Sequence, residues 1–62
     1  MNQIAQKHAR SLVVMIAAGG DLSAVLEMAK AYGVRAVHLD QLAVPDEEEV
    51  ARRRLLSALK AL

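Results

Sequence analysis

Three interruptions decide what this chain can become: Gly19-Gly20, Gly33 and Val44-Pro45. Glycine readily takes the left-handed conformation found just past helix ends. A residue that precedes proline is pushed out of the helical region. The chain is therefore cut into four short segments, and each must bury its apolar side against the others.

The segments read as helices from their caps and spacing. Asn2 is a good N-cap for the first, in which Ile4, His8, Leu12, Met15 or Ile16, and Gly19 follow helical spacing. Asp21 caps the second, where Leu22, Val25, Leu26, Ala29 and Tyr32 make one apolar face before Gly33. The third, Val34 to Ala43, has mixed spacing, and residues 35–40, like 12–17, are open to either helix or strand. The fourth opens with Asp46 and Glu49 as a capping box and with Pro45 and Val50 at the positions of a hydrophobic staple. It is expected to run as one helix over residues 46–61, with Ala51, Leu55, Ala58, Leu59 and Leu62 on one side. The expected fold is all-α, a small three- to four-helix domain spanning residues 1–62.

Sixty-two residues without cysteine bury a modest core that no disulfide or thiolate metal site reinforces. Ala, Leu and Val dominate, and aromatics are 2% of the chain. The apolar run Leu12–Ala18 is apolar on more than one side, so a homodimer or higher oligomer is expected, through Leu12, Ile16, Leu55, Leu59 and Leu62. Lys7, His8 and Arg10 ahead of that run have the outline of a secretory leader. The run sits at the short end of the leader range and is far too short to span a bilayer, so it reads as a buried helix segment. No membrane contact is expected, and the cysteine-free composition fits a cytoplasmic location.

The net charge of +1 and pI near 8.2 are too balanced to imply nucleic acid by electrostatics alone. Arg52-Arg53-Arg54 suggests phosphate binding, yet Glu48 and Glu49 stand four residues before Arg52 and Arg53, the spacing of helix salt bridges. A solvated, self-neutralised face is the expectation, and Arg54 alone lacks a carboxylate four residues back. His8 and His38 are the only histidines, and a zinc site needs three or four ligands, so no metal or other cofactor is expected. Ser11, Ser23 and Ser57 have no base nearby in sequence, and no nucleophile elbow or P-loop occurs. No enzymatic activity is expected. Met15 and Met28 read as core filler, and Tyr32 as a buried ring with its hydroxyl at the surface.

Residues 28–42, MAKAYGVRAVHLDQL, resemble the helix-turn-helix of small phage-type repressors. Ala29 stands four before the turn glycine Gly33, where the two helices of that motif cross closely. Val34 follows the glycine, and Met28, Tyr32, Leu39 and Leu42 match the buried positions. The resemblance implies a DNA-binding transcriptional regulator acting as a dimer, with Arg35, His38, Gln41, Lys30 and Arg54 as candidate DNA contacts. Arg35 stands where a Ser or Thr cap is usual, and Asp40 would face phosphate. The alternative is a homo-oligomeric helical protein–protein interaction module or inhibitor.

A second pattern, Gly33, Val37-His38-Leu39, Gln41 and Pro45, is similar to a strand and following loop of thiamine-phosphate-synthase-like barrels. With that phasing Leu12–Ala17 would be a strand entering a Gly19-Gly20 phosphate loop, and the chain a fragment of a barrel needing about 200 residues or more.

Overall fold

Both glycine interruptions end helices by the same pair of hydrogen bonds. The computed structural model describes residues 3–62; Asn2, the expected cap of the first segment, lies outside the described residues. Helix α1 (Gln3–Ala17) closes over Gly19, at φ +96°. The Gly19 N–H donates to the Ile16 carbonyl at 2.9 Å and the Gly20 N–H to the Met15 carbonyl at 2.8 Å. Helix α2 (Leu22–Tyr32) closes over Gly33, at φ +74°, with Gly33 N–H on Lys30 O at 3.2 Å and Val34 N–H on Ala29 O at 2.8 Å. These bonds satisfy carbonyls that a helix end leaves orphaned. Gly20 is needed for a different reason: a Cβ there would stand 2.7 Å from the Met15 carbonyl oxygen. Between the two helices Asp21 caps α2, its Oδ2 accepting from the Ala24 N–H at 3.0 Å.

Residues 36–40 form a short helix, α3 (Ala36–Asp40), and residues 12–17 lie within α1. Among the described residues there is no strand, so the strand alternative for both stretches is corrected. In α1 the buried set Ala9, Leu12, Val13 and Ile16 recurs with the helical period, and Val14, Met15 and Ala17 face out, where a strand would alternate.

The fourth segment also starts differently from expectation. Pro45 is extended, and Asp46–Glu48 form a 3-10 turn in which the Glu48 N–H donates to the Pro45 carbonyl at 2.9 Å. Helix α4 (Glu49–Lys60) follows without a break. The tight first turn moves the α-helical start past Asp46, so the expected capping box does not form. Val50 is 70% exposed, so the staple is absent too.

Helix α1 is the centre of the arrangement, touching α2, α3, α4 and the 3-10 turn. Helix α4 packs on α1, α2 and α3. The core holds Ala9, Leu12, Val13 and Ile16 of α1, Val25 and Ala29 of α2, Val34, Leu39 of α3, and Ala51 and Leu55 of α4. Leu12, Ile16 and Leu55, expected at an oligomer interface, are instead buried within the single chain. Helix α1, which carries Leu12 and Ile16, packs on α2, α3 and α4, and Leu55 of α4 joins the same core.

Two arginines brace this core. The Arg10 guanidinium on α1 pairs with the Glu48 carboxylate, tying the start of α4 to α1. Arg52 Nη1 donates to the Leu39 carbonyl at 2.9 Å, while its Nε and Nη2 grip Glu49 at 3.0 and 2.6 Å. Glu49 also accepts from Arg53 Nε at 2.9 Å. The arginine run is therefore neutralised only in part: Glu49 serves Arg52 and Arg53, Glu48 is turned to Arg10, and Arg54 has no ion-pair partner among the described residues. Hydrogen bonds from Arg52 first, then Arg53, hold the Glu49 carboxyl at about 2, against its ordinary 4.5.

Candidate functional site

The resemblance to a helix-turn-helix rests on two helices crossing at a small residue. Here the turn is present and the crossing is not. No residue of α2 comes within 8 Å of α3 (Cα to Cα), and α3 packs on α4 and α1 instead. Arg35, extended at φ −119° and ψ +169°, is the N-cap between the Gly33 turn and α3. Ala29 is buried against other partners. With five residues α3 is about 7.5 Å long, short for a helix that must follow a DNA groove.

Each proposed contact residue has a definite place. His38 is 9% exposed, and its Nδ1 accepts the Arg35 backbone N–H at 2.9 Å, closing the first turn of α3 in the way a Glu or Gln closes a capping box. It faces inward and is not a surface reader, which corrects that assignment. Gln41 is exposed just past the end of α3, and Arg54 is exposed on α4 without an ion-pair partner among the described residues.

Lys30 and Arg35 do come together. With Gly33, Val34, Ala36, Leu59 and Leu62 they line a groove of about 440 Å³ between the Gly33 turn and the last turn of α4. Its floor is apolar: Val34 is buried, Leu59 half-buried, and Leu62 is 70% exposed. Its rim is cationic. Lys30 Nζ lies 3.3 Å from Glu27 Oε2 in a solvent-exposed pair, and the Arg35 guanidinium has no carboxylate partner among the described residues. Exposed pairs of this kind are worth about 0–1 kcal/mol, so Lys30 can readily exchange Glu27 for another anion.

Sequence reasoning paired neither Lys30 nor Arg35 with Leu59 and Leu62. The signal for it lay in Leu59 and Leu62, which continue the apolar stripe of α4 past Leu55. Comparison of the chain with family models, with curated proteins and with solved structures gives no match in any of the three.

Proposed function

We propose that the protein is a helical interaction module, and that the Lys30–Arg35–Leu59–Leu62 groove takes a short acidic amphipathic segment of another protein. The observation that carries this reading is the mixed lining. Two cations stand over an apolar floor, and the occupant that fits both offers carboxylates on one edge and apolar side chains on the other. DNA would use only the rim, since phosphates pair with Arg35 and Lys30 but leave Leu59 and Leu62 uncovered. The separation of α2 from α3 and the inward His38 further favour a protein partner.

The test uses three probes against the same protein: an amphipathic Leu/Glu peptide, its Leu/Lys counterpart, and duplex DNA at low salt. The Leu/Glu peptide should bind, and both Arg35→Ala and Leu62→Ser should weaken it. Binding of DNA without the peptide, lost in Arg35→Ala and tightened in Asp40→Asn, would overturn this reading in favour of a DNA-binding regulator.

A further inference from the structure

Helix α3 starts without a side-chain cap at Arg35, and its first turn is closed by a group that titrates. Two hydrogen bonds join Arg35 and His38. The His38 N–H donates to the Arg35 carbonyl at 3.0 Å, and the Arg35 N–H donates to His38 Nδ1 at 2.9 Å. A backbone N–H can only donate, so the second bond requires a bare Nδ1 and puts the proton of the neutral ring on Nε2. A proton added at Nδ1 sets two donors against each other. Glu or Gln at this position keeps an oxygen acceptor at any pH, and an imidazole does not.

The surroundings offer the imidazolium no replacement bond. His38 is buried, and among the described residues no carboxylate lies within ion-pair distance of its ring. Helix α3 packs on α1 and α4. From α4 comes Arg52, whose guanidinium holds the Leu39 carbonyl and is itself held by Glu49; Arg53, Arg54 and Lys60 are exposed. Helix α1 carries Lys7, which is exposed, His8, which stacks on Tyr32, and Arg10, which is paired with Glu48. On α3 and its cap stand Asp40 and Arg35, both exposed. The two ends of α3 are thus held by different means. Arg52, which stays charged at any ordinary pH, pins the Leu39 end, and a neutral imidazole pins the Arg35 end.

We infer that His38 is a pH-sensitive latch on the first turn of α3: neutral, it holds the Arg35 backbone, and protonated, it releases it. Leu39 stays in the core and Arg52 keeps its grip, so the opening is confined to residues 35–38. The sign follows from the bond. The cap is made while the imidazole is neutral and is lost as pH falls through about 7 to 5.5, where an imidazole takes up its proton. Arg35 also stands on the rim of the Lys30–Leu62 groove, so the latch sets whether that rim is assembled. This consequence rests on the groove being the binding surface, and the latch itself does not. An acidic segment should therefore bind more weakly on acidification, although the imidazolium adds a positive charge.

Nuclear magnetic resonance on isotope-labelled protein tests the latch without any ligand. Between pH 7.5 and 5.5 the Arg35 amide should lose about 2- to 30-fold of its protection against hydrogen exchange, corrected for the intrinsic rate, which is the range of a single helix cap. The Leu55 amide, in the core, should keep its protection. His38→Gln, which retains an acceptor and does not titrate, should abolish the response, and His8→Gln should leave it intact. An Arg35 amide indifferent to pH in wild type, an equal loss at Leu55, or the same response in His38→Gln would each overturn the latch, and the first two need no variant to fold. The amphipathic Leu/Glu peptide then tests the rim. Its affinity should fall from pH 7.5 to 5.5 in wild type and not in His38→Gln. An unchanged or rising wild-type affinity, with the Arg35 amide responding, would overturn the link to the groove. A responding amide with no peptide binding at either pH would refute the groove as binding surface and leave the latch standing.

Discussion

Leu39→Ala asks what holds α3 in place. A five-residue helix is not stable alone. Leu39 is the only apolar side chain of α3 that lies in the core, since Val37 is exposed and Ala36 only half-buried. Removing the three outer carbons of a fully buried leucine costs about 2–5 kcal/mol, the cavity included. A chain of 62 residues has about 3–9 kcal/mol of stability in all at ordinary per-residue values. The lower part of the range applies, because α3 lies at the edge of the core and can settle into the space. At about 4–8 °C per kcal/mol, a loss near 2 kcal/mol lowers Tm by about 8–16 °C. Thermal and urea denaturation followed by far-ultraviolet circular dichroism measure this, and Leu39→Met, which keeps the volume, should cost less than about 1.5 kcal/mol. Amide hydrogen exchange across residues 37–42 should accelerate more than in α1. A Tm shift below about 4 °C, or exchange that accelerates uniformly, would refute the view that this one side chain anchors α3.

The two glycine turns should respond to substitution for different reasons. Gly20→Ala forces a Cβ to within 2.7 Å of the Met15 carbonyl and should cost about 1–3 kcal/mol by urea denaturation. Gly33→Ala meets no atom within 4 Å and should cost only the left-handed penalty of about 1–2 kcal/mol, with Gly33→Asn losing less. Glu49 titrates at about 2 when folded against an ordinary 4.5, so its contribution is complete above pH 4.5 and disappears as pH falls through about 2. Urea midpoints should therefore show wild type above Glu49→Gln at neutral pH, with the gap closing between about pH 4.5 and 2; a gap that does not change with pH would mean that the arginine pairs contribute nothing.

The punctuation of this fold is local, and it was legible. Gly19, Gly33 and Asp21 act within one or two residues of themselves, so the ends of α1 and α2 and the start of α2 follow from sequence. The apolar stripes were legible as well, but a stripe says that Leu12, Ile16 and Leu55 are covered, not by which molecule. Only the enclosure of α1 on several flanks assigns them to the single chain. Met15, read as core filler, is instead 39% exposed, and Tyr32, read as a buried ring, is 49% exposed with one face against His8. The separation of α2 from α3 was hidden because it depends on α3 packing against α1 and α4, contacts remote in the chain. The bond from Arg52 to the Leu39 carbonyl joins residues thirteen apart in the chain and leaves no trace in helical periodicity. His38 closing the first turn of α3 was missed because the usual partner at that position is Glu or Gln.

Tyr32 is the only Phe, Tyr or Trp in the chain, and it sits on the surface while the core is wholly aliphatic. The interior is thus silent in the near-ultraviolet, and the one aromatic chromophore lies half exposed on the α1–α2 face, stacked on His8. Tyrosine absorbance and fluorescence will follow events at His8 and on that face, whereas backbone dichroism follows the helices. Two instruments that normally report one transition should here report two. On heating, the tyrosine signal should shift at temperatures where the dichroism is still constant, giving a label-free view of the His8–Tyr32 contact apart from global unfolding.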